Sequence, residues 1–409
     1  MAALRGKLIV AQSGGPTPVF NNSACGMIQE ALRHEDVFDE MYGAVNGVMG
    51  ILHEQLIDLR KETPATIAGL RKTPATALGT CRRKLNEQDM ERILAVFKAH
   101  NIRYFFYNGG NDSMDTANKI SQMAAAANYE MRVIGIPKTV DNDLVETDHC
   151  PGFGSAARFM ALATRDVGRD TEAGALTTTA VTIMEAMGRD VGWLTASSAI
   201  GRRDERDAPH LIYLPETPFT IEKFLNDVQR VYDRLGFVVV AASEGIRDSA
   251  GKLLLTSSSV DAFGHAQLGG VGEFLANVVA DKLKIKTRSN IAGTIQRAMI
   301  SAASPSDLEE AYLVGKMGVK YALEGQTGMM VSLIRQSDAP YACVTGLAPL
   351  SKVANAVKAI PADDITPDGN DVNEKFLRYV TPLVGELGVS DYVRLEKHPV
   401  EKLLAPYQR

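Results

Sequence analysis

The chain has 409 residues, of which 45% are hydrophobic and 23% charged, so it can bury a large core and should divide into two domains. A net charge of -5 excludes a broad basic surface for nucleic acid, so any anion site has to be local. No apolar run approaches the roughly 20 residues that cross a membrane, and the N-terminus has no signal-peptide pattern. The four scattered cysteines suit a reducing compartment, so we expect a cytoplasmic protein.

Short apolar, β-branched runs alternate along the chain with stretches of helical periodicity. The predicted strands are Lys7 to Ala11, Arg103 to Tyr107, Arg132 to Ile136, Thr179 to Met184, His210 to Leu214, Phe237 to Ala242 and Met329 to Ile334. The predicted helices include Asn21 to Arg33, Ser113 to Ala127, Thr220 to Leu235 and Pro305 to Glu324. This alternation predicts an α/β fold with mainly parallel sheets covered by helices.

No composition shift or flexible linker marks a domain boundary, so the two predicted domains should interleave. We expect Rossmann-like domains with the active site between them. The first would contain residues 1–150 and a returning segment at about 291–345, and the second residues 151–290 and about 346–409. The tail after residue 345 contains many turn-forming Pro, Asp and Gly residues and is expected to be a surface addition.

The first glycine pair, Ser13-Gly14-Gly15, lies between the opening strand and a predicted helix. Glycines let the backbone approach a ligand closely, and the first turn of the helix offers unpaired N–H groups to an anion. The alternative for an isolated pair is a plain strand-to-helix turn.

A second glycine-rich loop, YNGGNDS at residues 107–113, again follows a strand and precedes a helix. Open α/β sheets bind ligands at this end of their strands. Asn111 and Asp112 carry oxygens that suit magnesium and its water shell. Alternatively, Asp112 or Ser113 caps the helix, and one residue could do both.

The third loop, GIPKTVDNDL at residues 135–144, is the most informative. It places a cation, a hydroxyl and two carboxylates at a strand end, namely Lys138, Thr139, Asp141 and Asp143. Lys138 can neutralise phosphate charge, and a nearby carboxylate can take the proton from an attacking hydroxyl. Phosphoryl transfer requires little more than this. An Asx-turn is the alternative explanation of Asp-Asn-Asp.

Later segments offer further polar groups. Arg189, after a predicted strand, can bind a phosphoryl oxygen bidentately or simply pair with a carboxylate. Glu244 follows another strand and can bind sugar hydroxyls, although a solvated surface Glu is the alternative. Arg288 and Arg297 suit a sugar phosphate, and each alone would be an ordinary surface arginine.

Taken together and in this order, these segments resemble the phosphofructokinase family. The motifs are SGGPTPVFNN, GTCRR, NGGNDS, PKTVDND, MGR, SEGI and GTIQR, and they lie between about residue 8 and residue 345. Their joint occurrence is far more specific than any one glycine pair. The resemblance implies Mg²⁺-dependent phosphoryl transfer to the 1-hydroxyl of fructose 6-phosphate, giving fructose 1,6-bisphosphate.

The resemblance also implies roles for individual residues. Asp141 would be the base for the hydroxyl, with Lys138 and Arg189 stabilising the transferring group. The implied sugar-phosphate contacts are Thr139, Val140, Asp141, Asp143, Met187, Gly188, Arg189, Glu244, Arg288, Thr294 and Arg297. The donor phosphates would lie near Gly14, Gly15, Lys138 and Arg82.

Two residues indicate pyrophosphate rather than ATP as the donor. Members that use ATP typically have Gly where this chain has Asp112 and Lys138, whereas pyrophosphate-dependent members resemble this chain. A carboxylate about 4 Å from an α-phosphate costs up to ~4 kcal/mol at an effective dielectric near 20, and pyrophosphate has no α-phosphate. Because the pyrophosphate bond stores free energy comparable to that of the ester formed, the reaction should be reversible, with phosphate as the other product.

Three positions depart from the family pattern. Asn111 replaces the usual magnesium-binding Asp, and its amide oxygen can still bind the ion with less charge. Ala180 replaces an Arg that, in ATP-using bacterial enzymes, reaches into a neighbouring subunit, so we expect a homo-oligomer without that tetrameric site and favour a dimer. Thr294 replaces a His or Tyr.

Two other functions stay open from the sequence. The same enzyme would use ATP if Asp112 turned away as a helix cap. A catalytically silent sugar-phosphate-binding protein would fit the missing Asp at position 111, although such a protein would not need Asp141, Lys138 and Arg189. A seven-carbon 7-phosphate could also be accepted, because the motifs fix the phosphate and the hydroxyl better than the chain length.

Overall fold

Two separate β-sheets organise the chain in the computed structural model, which describes residues 4–255, 268–354, 356–388 and 392–404. The strands are β1 Gly6–Gln12, β2 Phe38–Ala44, β3 Leu56–Asp58, β4 Ile102–Gly109, β5 Arg132–Pro137, β6 Val181–Ala186, β7 Leu211–Tyr213, β8 Val238–Ser243, β9 Thr287–Ile291, β10 Met329–Asp338 and β11 Tyr341–Pro349. The first sheet has the order β11-β10-β5-β4-β1-β2-β3, and the second has the order β7-β8-β6-β9.

The pairing within these sheets is mainly parallel. In the first sheet β2, β1, β4, β5 and β10 run parallel, while β3 and β11 are antiparallel at the two edges. All pairs of the second sheet are parallel. Every residue of β6 and β8 is buried, as expected for strands covered on both faces. The predicted α/β fold with mainly parallel sheets is confirmed.

Helices cover both sheets. They are α1 Phe20–Ala31, α2 Val48–Leu52, α3 Pro64–Gly69, α4 Glu87–Ala99, α5 Asn111–Ala126, α6 Phe153–Gly174, α7 Trp193–Ser197, α8 Ile221–Leu235, α9 Val271–Leu283, α10 Ile295–Ala298, α11 Pro305–Leu323, α12 Leu350–Val353 and α13 Glu374–Val384. Within the described ranges, no helix has both the length and the apolar character needed to span a membrane.

Two of the predicted helices, α8 and α11, begin directly after a residue that caps them with its side chain. The Ser304 side chain accepts a hydrogen bond from Asp307 N–H, and Pro305 occupies the first helical position of α11. Thr220 caps α8 in the same way by accepting from Lys223 N–H. All four predicted helices agree with the structure within about two residues, which is the usual uncertainty of helix ends.

The first sheet recruits a segment distant in sequence, because β10 and β11 at residues 329–349 pair beside β5. The second sheet consists of strands between residues 181 and 291. The boundaries given above for the two domains stay a prediction.

The tail after residue 345 is not the surface addition that its turn-rich composition predicted. Helix α13 buries Phe376, Val380 and Leu383 in a core cluster that also contains Phe153 and Trp193. The Trp193 and Phe376 rings stack with centroids 6.0 Å apart. Each of these apolar side chains contributes about 1.5–3 kcal/mol by leaving water. The prediction was wrong because the turns at residues 361–371 hid the amphipathic helix that follows them.

A cluster of ionisable side chains is buried where α11, β10 and α13 approach the segment after β5. The ring nitrogens of His149 hydrogen-bond Asp148 at 2.8 Å and Glu310 at 2.7 Å. Burial lowers the pKa of His149, but the two carboxylates outweigh burial and raise it above its usual value. Other charged and titratable groups hydrogen-bond to Asp148 and Glu310, namely Arg335, Tyr341, Lys358 and Tyr379.

The raised pKa of His149 predicts pH-dependent stability. Its contribution should be complete below about pH 6.5 and should be lost as the pH rises through the folded-state pKa. In thermal melts between pH 6 and pH 9, His149→Gln should lower the melting temperature by several degrees at pH 6 and by less at pH 9. His53→Gln, at an exposed position, should leave the pH profile unchanged. Parallel profiles for wild type and His149→Gln would contradict this account.

Candidate active site

Three loops of the first sheet meet at the carboxyl ends of adjacent parallel strands. They follow β1, β4 and β5 and comprise residues 13–15, 110–113 and 138–143. The Lys138 Nζ donates a hydrogen bond to the Gly15 carbonyl at 3.0 Å. The backbone N–H of Lys138 binds the Gly109 carbonyl, also at 3.0 Å. The structure therefore brings the three predicted loops together.

Gly14 and Gly15 let the first loop lie against two cations. Gly14 has a φ of +88°, and a Cβ there would lie 3.1 Å from the Lys138 Nζ. At Gly15 a Cβ would lie 2.5 Å from a guanidinium nitrogen of Arg297. Gly14 needs glycine because of its positive φ, whereas a Cβ at position 15 would require only that the flexible Arg297 side chain shift. Arg297 belongs to α10, which follows the second sheet, so this contact joins the two halves of the site.

Lys138 is only 4% exposed, and its ammonium lies 4.7 Å from the centre of the Phe20 ring. Burial lowers the pKa of Lys138 to about 8; Asp141 opposes this shift, and Arg297 and Arg82 add to it. A phosphate arriving beside these cations would favour the charged form of the lysine. The site around Lys138, Arg297 and Arg82 therefore favours the binding of an anion.

Asp141 is the carboxylate with an environment suited to accepting a proton. Burial raises its pKa to about 7, with contributions from Asp143 and Glu244, while Arg189 and Lys138 oppose the shift. The Thr139 hydroxyl accepts a hydrogen bond from the Asp141 backbone N–H at 3.1 Å. A carboxyl group with a pKa near neutral pH is an effective general base.

Asn111 and Asp143 form a hydrogen-bonded pair beside this carboxylate. Asn111 Nδ2 donates to Asp143 Oδ2 at 2.8 Å. The Oδ1 atoms of Asn111 and Asp143 are buried, and neither accepts a hydrogen bond from a described residue. Two oxygens left free in this way fit a magnesium ion that takes its remaining ligands from phosphate and water. The described residues contain no cluster of three or more His, Cys, Asp or Glu that could enclose a metal alone.

Asp112 lies exposed in the first turn of α5. The N-cap of this helix is Gly110, and among the described residues no side chain makes a capping hydrogen bond there. The alternative that Asp112 or Ser113 caps the helix is therefore wrong. Burial raises the pKa of Tyr107, a hydrogen bond from Ser13 opposes this, and the charge of Asp112 adds to it. Asp112 is thus close enough to influence a tyrosine that contacts the first loop.

The loops after β6 and β8 of the second sheet form the opposite side of the site. Glu244 Oε1 accepts hydrogen bonds from the backbone N–H groups of Gly188 at 3.3 Å and Arg189 at 3.4 Å. Burial raises the pKa of Glu244. The Gln296 side chain accepts from Met187 N–H at 3.1 Å. Glu244 and Gln296 therefore fix the conformation of the loop that carries Arg189.

Arg297 is the guanidinium that connects both sides. Burial lowers its pKa and Arg82 lowers it further, whereas Asp141 and Glu244 raise it and Arg189 lowers it. These influences mean that Arg297 lies among the groups expected to bind the donor and the sugar phosphate. A cluster of cations of this kind suits a multivalent anion.

Three residues predicted to contact the sugar phosphate have side chains with other surroundings in the structure. The Arg288 guanidinium pairs with Asp170 of α6 at 3.3 Å. Thr294 is exposed, and its hydroxyl does not cap α10. Val140 packs its side chain into a hydrophobic cluster, so its backbone is the part left for a ligand. Their roles in substrate binding stay predictions.

Sequence reasoning missed the residues that hold these loops in place. Gln296 was inside a quoted motif, GTIQR, but its neutral side chain suggested no chemistry. The motif's position after a strand, with Arg297 adjacent, was the available signal. Asn142 and Tyr379 were also missed, because they lie 237 residues apart in sequence and meet only in the fold.

Two mainly parallel sheets with cationic loops, a carboxyl group of near-neutral pKa and a buried lysine between them are typical of α/β enzymes that transfer phosphoryl groups. A family model described as Phosphofructokinase matches residues 7–322, and the chain belongs to the phosphofructokinase family.

The chain is similar to two proteins named pyrophosphate–fructose 6-phosphate 1-phosphotransferase. That of Xanthomonas campestris pv. campestris (strain B100) is 45% identical, covering 98% of this chain and 99% of that protein. That of Halomonas elongata is 42% identical, covering 97% and 98%. A crystal structure described as a pyrophosphate-dependent phosphofructokinase from Nitrosospira multiformis matches with a TM-score of 0.86 and 39% identity, covering 98% of this chain and 100% of that one.

Proposed function

We propose that this chain transfers a phosphoryl group from pyrophosphate to the 1-hydroxyl of fructose 6-phosphate, giving fructose 1,6-bisphosphate and phosphate in a reversible reaction. The observation that carries the proposal is the pocket in which buried Lys138 lies beside Asp141. The names of the two bacterial relatives support the same donor and acceptor. A protein that only bound sugar phosphates would not need a carboxylate whose pKa is near 7.

The proposed reaction assigns one task to each group. Asp141 takes the proton from the 1-hydroxyl as that oxygen attacks phosphorus. Lys138 and Arg189 stabilise charge on the transferring phosphoryl and on the departing phosphate. Asn111 and Asp143 would hold Mg²⁺, which supplies further neutralisation of the pyrophosphate charge when it is bound.

The remaining predicted residues would bind the two substrates. The donor phosphates would contact Gly14 and Gly15 through backbone N–H groups, with Arg82 and Lys138 as cations. The sugar phosphate would lie against the loops after β6 and β8, with Arg297 on its phosphate. In this arrangement the domain of residues 1–150 and about 291–345 binds the donor, and the domain of residues 151–290 and about 346–409 binds the sugar phosphate.

We also expect a cytoplasmic homo-oligomer, and we favour a dimer. Ile291 at the end of β9, Ile295 in α10 and Met299 just after α10 are 53%, 56% and 42% exposed. Apolar side chains of this size grouped on a surface favour contact with another subunit.

The reverse reaction tests the proposal. Purified protein with magnesium, fructose 1,6-bisphosphate and phosphate should form pyrophosphate and fructose 6-phosphate, measured by a linked isomerase and dehydrogenase assay. Forward activity with pyrophosphate but no phosphate-driven reverse reaction would contradict the proposed reversibility. No reaction in either direction would leave a binding protein as the better account. Phosphate release from pyrophosphate, with a seven-carbon 7-phosphate as the only acceptor, defines the acceptor range.

Removing the charge of Asp112 should weaken discrimination against ATP. Because this carboxylate is exposed, water screens it, and its effect should be smaller than the ~4 kcal/mol upper value for a carboxylate 4 Å from an α-phosphate. For Asp112→Asn we expect the ratio of kcat/KM for pyrophosphate to that for ATP to fall about tenfold. Asp115→Asn, later on α5, is the matched control and should keep the wild-type ratio. An unchanged ratio in Asp112→Asn would show that Lys138 alone determines the donor.

A further inference from the structure

Asn142 separates Asp141 from Asp143 in the loop after β5. It is fully buried and has a φ of +57°, a conformation that side chains other than Asn and Asp rarely adopt. Its Oδ1 accepts a hydrogen bond from Cys150 N–H at 3.0 Å. Its Nδ2 donates to the Tyr379 hydroxyl oxygen at 3.1 Å. The backbone between the two carboxylates is therefore fixed by a side chain that itself faces away from solvent.

Tyr379, like Asn142, is fixed in place by several contacts. Its hydroxyl donates a hydrogen bond to the Asp148 carbonyl at 2.8 Å. The Arg335 guanidinium lies 4.5 Å from the centre of its ring and donates to its backbone carbonyl at 2.9 Å. The Trp193 ring packs against it with centroids 5.4 Å apart. The Tyr379 hydroxyl can therefore act as a rigid support, since ring and backbone are both fixed.

A second connection joins the same loop to the C-terminal part of the chain. The Lys358 backbone N–H donates to the Asp143 carbonyl at 2.8 Å. The Lys358 ammonium donates to the Asp148 carbonyl at 2.7 Å, and the Trp193 indole N–H donates to the Lys358 carbonyl at 2.9 Å. Residues 356–384 thus hold residues 142–150 from two directions, through Lys358 and through α13.

We propose that Tyr379 and Asn142 form a positioning pair that keeps the carboxylates of Asp141 and Asp143 in the arrangement required for phosphoryl transfer. Neither member of the pair is a catalytic residue, because both act through the loop backbone. The inference rests on the proposed function, in which Asp141 is the base. Small misplacements of a reacting group reduce the rate steeply, so a buried hydrogen bond next to the base can control kcat.

Two conservative variants test the pair. Tyr379→Phe removes only the hydroxyl, and Asn142→Gly removes the carboxamide while keeping a residue that tolerates positive φ. Each should lower kcat about tenfold in the pyrophosphate assay, with KM for both substrates within about twofold of wild type. If the two residues act through one contact, the double variant should have the kcat of Asn142→Gly alone, instead of the product of the two losses.

Tyr312→Phe is the matched control, because it removes a hydroxyl that hydrogen-bonds Gln29 at 2.8 Å between α1 and α11. Its kcat should equal that of wild type. Melting temperatures of all variants separate positioning from folding, since a merely structural role would lower the melting temperature and leave the kcat of folded enzyme unchanged.

A Tyr379→Phe kcat within twofold of wild type would overturn the inference, and so would multiplicative losses in the double variant. If Asn142→Gly does not fold, the kcat of Tyr379→Phe decides alone. Wild-type protein that is inactive in both directions would overturn the proposed function and this inference with it. Active wild type with unaffected variants would overturn the inference alone.

Discussion

Replacing Asp141 by Asn should lower kcat at least about a thousandfold and leave KM for fructose 6-phosphate within a few-fold of wild type. The amide is close in size to the carboxylate but cannot take the proton from the 1-hydroxyl, and general-base catalysis contributes about 10²–10⁴-fold. The loss should exceed the lower end of that range because Asp141 also contributes charge to the field around Lys138. Steady-state kinetics with pyrophosphate as donor measure both parameters.

The control for this variant is Asp36→Asn, which changes the same chemical group at an exposed position. Its kcat and KM should match wild type. Since desolvation and the charges of Asp143 and Glu244 make the ionised form of Asp141 costly, Asp141→Asn should not lower the melting temperature. A kcat reduced less than about tenfold would mean that another group is the base.

Replacing Lys138 by Met should lower kcat about 10²–10³-fold and also raise KM for pyrophosphate. The variant keeps an unbranched side chain of similar length in the space above the Phe20 ring, but it loses the fixed cation. Loss of one group that stabilises charge in the transition state typically costs about 10²–10³ in kcat. Initial rates at saturating and at limiting pyrophosphate separate the two effects.

Although Lys138→Met should lose activity, its melting temperature should rise. Burial holds the pKa of Lys138 at about 8, below its ordinary value, so its charged form destabilises the fold at neutral pH. Lys138→Met should therefore melt at a higher temperature than wild type at pH 7. The matched control, Lys98→Met on an exposed part of α4, should change neither activity nor melting temperature by much. An inactive Lys138→Met that is also less stable would indicate disruption of the fold instead.

Much of the fold was predictable because central parallel strands are apolar runs. All seven predicted strands exist, although β6 begins two residues later than predicted, at Val181. The strands β2, β3, β9 and β11 were missed. β9, TRSNI, is a polar edge strand with every residue at least partly exposed, so its sequence lacks the apolar signal. In β2 the adjacent acidic residues Asp39 and Glu40 interrupt the apolar run, so this strand also lacks a clear apolar signal.

The residues of the site could be predicted from the sequence where a glycine or a charged residue directly follows a strand. Lys138, Asp141 and Glu244 each follow a buried strand, and parallel topology brings such positions together. Their supports were not predictable, because Asn142 and Tyr379 carry no charge and their contact joins elements from different ends of the chain. The role of Arg288 stays a prediction, since its guanidinium pairs with a local carboxylate, Asp170, in the structure.

The comparison of two donors with wild-type protein tests the central claim most directly. Initial rates of fructose 1,6-bisphosphate formation from fructose 6-phosphate and magnesium would be measured with pyrophosphate or ATP as the only donor. The account predicts that kcat/KM for pyrophosphate exceeds that for ATP at least about a hundredfold, because Asp112 and Lys138 favour a donor without an α-phosphate. Turnover with ATP and none with pyrophosphate would contradict it.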